Sequence, residues 1–241
     1  MTEAQSKLPL LYRDLTPLSA ERHGGLGVAA DRDFAFARET GFAPLTIDEF
    51  AQGQRFFPIV FTRETPATPV ALFSATRGGN DFVGEDGRWR DGAYAPGYLR
   101  RYPFHLVRRS EEDDERVLCA DLTSSVLEEA VDDAERKLFA DAAAGPAATR
   151  ALEFCKAYEV ATERTRRAVA EFEELGLLKD SAIETMTGGR KARVDGFRVI
   201  SEEALRALDD DVIAGLAKRG ALAPIYAHLF SLTNFAGLKL T

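Results

Sequence analysis

The chain has 241 residues, 45% of them hydrophobic and 29% charged, and a formal net charge of −8 at pH 7. Enough apolar side chains are present for one sizeable core, which excludes a wholly disordered or fibrous protein. The apolar runs are far shorter than the roughly 20 residues that cross a bilayer, so composition predicts a soluble globular protein without a transmembrane segment. An acidic balance with no basic lobe also argues against nucleic acid as a partner.

The first 121 residues are predicted to form short strands and turns. The dipeptide Asp86-Gly87 is typical of a tight turn and predicts a hairpin between residues 80–83 and 88–89. Thr46 and Glu49 have the spacing of a capping box, so one short helix is expected to interrupt the strands. The apolar runs that predict strands are residues 57–61, 70–73, 104–107 and 117–120, the last two paired across an acidic loop at 110–115.

The chain changes to helical periodicity from residue 149. Apolar or small side chains recur every three or four residues from 149 to 175, which predicts one amphipathic helix of about seven turns. Gly176 is its expected C-cap. The apolar stripe has two alternative partners, the β-rich half of the chain and a second copy of the chain in a homo-oligomer.

A hairpin and three shorter helices are predicted after the long helix. Two strand-like stretches flank a pair of glycines, and each helix has a recognisable start or stop signal. The elements are a hairpin over 182–195 that turns on Gly188 and Gly189 and is extended by residues 197–200, a helix capped by Ser201, a helix from Asp210 to Gly220 and a helix from about Pro224.

These elements predict an α+β protein, in which an antiparallel β-rich N-terminal half packs with a mainly helical C-terminal half containing one β-hairpin. No linker rich in Gly, Ser or Pro divides the chain, so a single unit over 1–241 is expected. Within it we distinguish a β-rich segment (residues 1–121), a connection (residues 122–148) and a helical segment (residues 149–241).

Cysteine usage and the N-terminus favour a cytoplasmic location. Cys119 and Cys155 lie in apolar stretches and are expected to be buried free thiols in a reducing compartment. The N-terminal residues lack the basic stretch and apolar core of a secretory signal. Export without a cleavable signal remains an alternative.

The motifs of common enzymes are missing, so no catalytic residue, cofactor or metal is predicted. There is no Walker sequence, dinucleotide fingerprint or nucleophile elbow, and the three histidines lie far apart in the sequence. His228 and Ser231 have the spacing of a nucleophile and base, but anchoring of an apolar helix to neighbouring backbone is the favoured interpretation. His23 lies in a polar turn, where it is an acid/base oriented by Glu21 or, as we favour, a structural residue that bonds a backbone carbonyl.

Residues 88–104 form the strongest candidate for a binding site. This stretch holds the only Trp, three of the six Tyr and four Arg, in a chain where Arg outnumbers Lys 24 to 7. Aromatic and Arg side chains suit a protein interface or a flat or anionic ligand. Alternatively, the rings fill an irregular β core while the Arg side chains tie loops to carbonyls. The candidate binding residues are Trp89, Arg100, Tyr102, His23 and Arg88.

Proline at 103 predicts the conformation of the residues before it. A residue that precedes proline favours extended backbone, so Tyr102 is expected in a strand or strand entry. Strand alternation then puts Arg100 and Tyr102 on an accessible face, and Leu99 with Arg101 on a buried face. Arg101 would need an acidic or carbonyl partner there.

Several stretches of the sequence resemble the bacterial SapC family, over residues 8 to 235. The most specific segments are 86–89 (Asp-Gly-Arg-Trp) and 100–104 (Arg-Arg-Tyr-Pro-Phe). The other matching segments are 8–12, 18–26, 33–37, 57–60, 173–178, 196–200 and 225–229.

The resemblance implies a context and no reaction. The family takes its name from a protein linked to a paracrystalline surface layer, and related genes often lie near outer-membrane receptors and flavin-dependent halogenase-like proteins. No catalytic residues are established for it. We therefore expect a non-enzymatic accessory protein of a surface-layer or uptake system that binds another protein or a small ligand. The alternative is an enzyme or small-ligand binder that uses residues 88–104, in a pathway with halogenase-like proteins.

Overall fold

The structure is a computed structural model that describes residues 8–76, 78–109, 115–187 and 190–238. It contains both helices and antiparallel sheets, which confirms the predicted α+β class. The helices are α1 (Ala20–His23), α2 (Phe50–Gly53), α3 (Gly97–Arg101), α4 (Pro146–Glu174), α5 (Glu202–Arg206), α6 (Asp210–Lys218) and α7 (Leu222–Ser231). The strands are β1 (Thr16–Pro17), β2 (Gly27–Val28), β3 (Phe42–Pro44), β4 (Ile59–Phe61), β5 (Pro69–Leu72), β6 (Phe104–Arg108), β7 (Arg116–Ala120), β8 (Leu127–Glu128), β9 (Phe139–Ala140), β10 (Ala143–Ala144), β11 (Leu178–Thr187) and β12 (Arg190–Ile200).

The chain forms two compact units, each assembled from two separate stretches. Unit 1 consists of Met1–Ala37 and Leu99–Glu159, and unit 2 consists of Arg38–Tyr98 and Val160–Thr241. Each unit therefore draws on both the N-terminal and the C-terminal half of the chain.

Unit 1 is built around a three-stranded antiparallel sheet in the order β1-β7-β6. Strands β6 and β7 pair from Phe104↔Ala120 to Arg108↔Arg116, which confirms the predicted strand pair. Most of the acidic loop between them, residues 110–114, lies outside the described residues. The sheet packs its buried side chains against the start of α4, where Cys155 is 1% exposed. The two cysteines are free and buried, as predicted.

Unit 2 contains a five-stranded antiparallel sheet in the order β11-β12-β4-β5-β3. Its outer hairpin, β11 with β12, matches the predicted one, although Gly188 and Gly189 at its turn lie outside the described residues. Large apolar side chains fill the core of this unit. The fully buried rings are Phe50, Phe57, Phe61, Phe73 and Phe172.

The predicted long helix is α4, which begins at Pro146, three residues before the predicted start. Proline is favourable there because its missing N–H has no intrahelical partner in a first turn. The helix ends before Gly176, whose φ of +66° is the left-handed conformation that glycine adopts without strain. Val169 and Phe172 on the stripe are 0% exposed, so this stretch of the stripe packs into the core of unit 2.

The predicted helix signals act as expected. The hydroxyl of Ser201 accepts a hydrogen bond from the N–H of Ala204 and caps α5. Helix α6 ends at Lys218, two residues before Gly220, and α7 begins two residues before Pro224. The capping box at Thr46 is also present, and it opens a 3-10 turn, Ile47–Glu49, that leads into α2.

Two local predictions are wrong in part or in full. Residues 80–83 and 88–89 form a turn with a single bridge, Val83↔Trp89, instead of a regular hairpin. Residues 99–101, which were expected to be extended, belong to α3, and the bond between Tyr102 and Pro103 is cis. The restriction imposed by Pro103 falls on Tyr102 alone, just after the helix has ended, so it does not extend the residues before it.

Among the described residues, no helix combines the length and apolar character needed to span a membrane.

Candidate functional site

The five candidate binding residues are divided between the two units. His23, Arg100 and Tyr102 belong to unit 1, whereas Arg88 and Trp89 belong to unit 2. In unit 2 the Trp89 ring stacks on Phe82, with centroids 5.3 Å apart, and Arg88 is exposed. Trp89 thus belongs to an aromatic cluster of its own unit, as the core-filling interpretation predicts.

Tyr102 is buried, so the prediction that it is accessible is wrong. It is 4% exposed, and its ring stacks on Phe36 with centroids 4.3 Å apart. Its hydroxyl lies 3.4 Å from Oδ2 of Asp121. Burial raises the pKa of Tyr102. Tyr102 directly follows α3, and Arg100 within that helix is exposed.

His23 ends α1 and has a structural contact. The backbone N–H of Ser19 donates to Nδ1 of His23 at 3.1 Å. We expected a bond to a carbonyl, so the predicted partner is wrong, although the ring does bond the backbone.

His228 and Ser231 anchor α7 to neighbouring backbone, which confirms the favoured interpretation. Asn234, in the 3-10 turn Leu232–Gly237 that follows α7, also bonds neighbouring backbone. The hydroxyl of Ser231 donates to the carbonyl of His228 and not to the imidazole. The anchoring bonds run from Ile200 N to His228 Nε2 at 3.0 Å, from Ile59 N to Ser231 Oγ at 2.9 Å and from Asn234 Nδ2 to the Gln54 carbonyl at 2.7 Å.

Arg100 lines a cleft of about 430 Å³ within unit 1. Five arginines and three phenylalanines surround this space, which we call the arginine cleft. Its lining residues are Val28, Arg32, Phe34, Arg100, Arg101, Phe104, Arg136, Ala147, Arg150, Ala151 and Phe154.

Four separate elements supply the arginines of the cleft. Arg32 lies in the loop after β2, and Arg100 and Arg101 end α3. Arg136 lies between β8 and β9, and Arg150 follows the first turn of α4, which carries no acidic side chain. The positive end of the α4 dipole is therefore not neutralised by a carboxylate of its own first turn.

Arg32 is held by backbone carbonyls. Its guanidinium donates to the carbonyl of Arg100 at 2.5 Å and to those of Leu99 and Tyr102. Desolvation lowers the pKa of Arg32, and the nearby charge of Arg100 lowers it further. Positive charge is thus concentrated where Arg32 and Arg100 lie close together in the arginine cleft.

The other lining arginines are held by rings and by acids. The guanidinium of Arg101, a residue 8% exposed, lies 4.7 Å from the Tyr158 ring centroid, and that of Arg100 lies 5.2 Å from the Phe154 centroid. The acid contacts are Arg136 with Glu128 at 3.0 Å, Arg136 with Asp133 at 3.3 Å and Arg150 with Glu135 at 2.9 Å.

The arginine cleft is lined by guanidinium groups and apolar side chains. Among the described residues that line it there is no His, Cys, Ser, Thr, Tyr, Lys, Asp or Glu. An arginine guanidinium stays protonated and offers only donors. Within the described portion of the chain, no group of three His, Cys, Asp or Glu side chains could hold a metal ion.

Sequence reasoning identified Arg100 and missed most of the cleft. Arg32, Arg136, Arg150, Phe34 and Phe154 were not among the candidates. These side chains lie in separate regions of the sequence and no local pattern connects them. The excess of Arg over Lys is the one signal in the sequence that agrees with the cleft.

The geometry defines an α+β protein with an arginine-rich cleft in unit 1. The SapC family model matches residues 18–238, and the chain belongs to that family. This confirms the resemblance. No curated protein and no solved structure matches the chain.

Proposed function

We propose that the protein is a non-enzymatic binding protein whose arginine cleft holds an anionic ligand. The observation that carries the proposal is the set of five arginines around about 430 Å³ of space in unit 1. A cleft of this size is comparable to small-molecule sites, which range from roughly 300 to 1,000 Å³.

Arginine suits this role because its planar fork of donors matches the oxygens of carboxylate, sulfonate and phosphate groups. Arg32 supports the proposal most directly, since all three of its hydrogen bonds run to carbonyl oxygens. Within the described residues no carboxylate forms an ion pair with Arg32. An anion that enters the cleft would therefore relieve the repulsion between the charges of Arg32 and Arg100.

Membership of the SapC family supplies the context of the proposal. We infer an accessory role in a bacterial surface-layer or outer-membrane uptake system, in which the protein acts by binding. The arginine cleft favours a small ligand, or a short anionic segment of a partner protein, over a flat protein interface.

Binding of two anionic probes to the purified protein tests the proposal. The probes are inorganic phosphate, followed by calorimetry, and 8-anilinonaphthalene-1-sulfonate, followed by fluorescence. We expect at least one of them to bind, and Arg100→Gln to weaken that binding at least tenfold. Arg206→Gln removes the same charge from an exposed side chain of α5 and should change nothing. Absence of binding by both probes, or equal losses in the two variants, would overturn the proposal.

A further inference from the structure

We propose that the ligand of the arginine cleft is an aromatic oxyanion, a flat ring system that carries a carboxylate, sulfonate or phosphate group. This inference rests on the proposed function and adds the class of ligand. It follows from what the cleft contains besides arginine.

Six of the eleven residues that line the arginine cleft are apolar. Apart from the five arginines, its lining consists of Val28, Phe34, Phe104, Ala147, Ala151 and Phe154. Phe34 and Phe154 are only partly buried, so they offer ring surface to an occupant. An inorganic anion would leave that surface in contact with water, whereas a ring would cover it and gain the free energy of apolar burial.

Arg100 and Phe154 together form a surface suited to stacking. The guanidinium carbon of Arg100 lies 5.2 Å from the centroid of the Phe154 ring, within the range of a cation–π contact. Guanidinium groups and phenyl rings both stack on flat aromatic ligands. A ring bound here would have a stacking partner, while its charged group could reach the guanidinium donors.

Phe34 is held in position by further rings. Its centroid lies 5.8 Å from that of Phe36, and Phe36 stacks on Tyr102 at 4.3 Å. Tyr102 in turn makes a T-shaped contact with Tyr12, with centroids 5.2 Å apart. This row of rings fixes one wall of the cleft before a ligand arrives, which reduces the entropy lost on binding. Tyr102 is on this account a positioning residue and not a ligand contact.

Three probes separate the contributions of ring and charge. 8-Anilinonaphthalene-1-sulfonate has both, N-phenyl-1-naphthylamine has the same rings without the sulfonate, and inorganic phosphate has charge alone. We expect the sulfonate to bind at least tenfold more tightly than either of the other two. Phe154→Leu should weaken the sulfonate at least fivefold and leave phosphate unchanged, whereas Arg100→Gln should weaken both anions. If Phe154→Leu fails to fold, Phe34→Leu provides the same comparison.

A second variant controls for binding elsewhere. Phe230 in α7 is the most exposed large hydrophobic side chain of the described residues, at 64%, and Phe230→Ser should leave sulfonate binding unchanged. The inference fails if Phe230→Ser removes the binding and Phe154→Leu does not. If phosphate binds as tightly as the sulfonate, the inference fails and the proposed function stands. If neither anion binds, both fail.

Discussion

Arg101 is a charged residue that is buried in unit 1. Strand alternation predicted that it is buried, and it is 8% exposed, but the backbone there is helical. Its guanidinium lies between two rings, 4.7 Å from the Tyr158 centroid and 5.9 Å from the Tyr12 centroid. Burial of the charge is thus stabilised in part by cation–π contacts.

Arg101→Ala should therefore destabilise the protein, while Arg100→Ala should spare the fold and weaken ligand binding. We expect about 3 kcal/mol of unfolding free energy to be lost for Arg101→Ala, since the change removes two cation–π contacts and leaves a cavity in unit 1. The loss for the exposed Arg100 should be below about 0.5 kcal/mol. Urea unfolding of both variants measures these losses, and equal small losses would show that burial of Arg101 does not stabilise the fold.

His228 makes stability depend on pH. It is 0% exposed, its Nε2 accepts the N–H of Ile200, and desolvation lowers its pKa from 6.5 to about 4. Between these two values the unfolded chain binds a proton that the folded protein does not. The contribution of His228 to stability is therefore present above pH 6.5 and is lost as the pH drops from 6.5 toward 4, at a limiting slope of about 1.4 kcal/mol per pH unit.

Chemical unfolding of the wild type and of His228→Gln at pH 7.5, 6 and 5 tests this dependence. Carboxylates titrate in both proteins, so the quantity to compare is the difference between them. We expect that difference to shrink by about 1 kcal/mol or more between pH 7.5 and 5. A difference that is constant with pH would mean that His228 protonates equally in the folded and unfolded chain.

At the scale of elements, the Glu49 carboxylate connects the capping box at Thr46 with the segment that contains Tyr94 and Gly97. Its Oε2 accepts the N–H and the hydroxyl of Thr46, both at 2.9 Å, which completes the capping box. Its Oε1 accepts the hydroxyl of Tyr94 at 2.8 Å and the N–H of Gly97 at 2.6 Å. One buried carboxylate thus starts the turn before α2 and also holds the residue that opens α3.

Glu49→Gln should cost about 2 kcal/mol of unfolding free energy. The amide has one oxygen, so one backbone N–H and one hydroxyl face an NH2 group. The hydroxyl can rotate and accept a hydrogen bond from that group, whereas the N–H loses its acceptor. The matched control is Asp48→Asn, which alters the neighbouring exposed carboxylate and should cost less than about 0.5 kcal/mol. Thermal or urea unfolding measures the loss of unfolding free energy in both variants. Equal small losses would contradict the role of Glu49 as a buried acceptor of four hydrogen bonds.

The apolar stripe of α4 packs either in the core of the protein or against a second copy of the chain, and a substitution at Phe172 distinguishes the two. Phe172 is 0% exposed within unit 2, so Phe172→Ala should lower the unfolding free energy by about 3–5 kcal/mol. Val160 on the same helix is 61% exposed, and Val160→Ala should be nearly neutral. A Phe172→Ala variant that keeps its stability but changes its oligomeric state in sedimentation would show that the stripe is an interface between copies.

At the scale of the whole molecule, the question is whether the two units unfold together, as the expected single unit over residues 1–241 requires. The only tryptophan, Trp89, belongs to unit 2, and the two cysteines, Cys119 and Cys155, belong to unit 1. Both thiols are buried, and burial raises the pKa of Cys155 to about 11, so they should react only after unit 1 unfolds.

Tryptophan fluorescence and thiol labelling across a urea gradient should report the same midpoint. The chain passes from unit 1 to unit 2 between Glu159 and Val160, which are consecutive residues of α4. Because the two units share this helix, unfolding of either unit should also unwind helical residues of the other. Two separate midpoints would show instead that the units unfold as independent domains.

The sequence by itself determined the elements whose signals are local. The period of α4, the caps at Thr46 and Ser201 and the turn at Gly176 depend on residues a few positions apart, and the structure has each of them. The same is true of the α+β class, because a change of period along the chain is enough to predict it.

Only the tertiary structure decided what lines the arginine cleft. Arg32, Arg100, Arg136 and Arg150 come from four elements far apart in the sequence, so no spacing rule connects them. Tertiary context also made residues 97–101 helical, where Glu49 accepts the N–H of Gly97. The physical reason is the same in both cases: side chains distant in sequence meet only after folding, and their contacts outweigh local preferences of about 1 kcal/mol or less per residue.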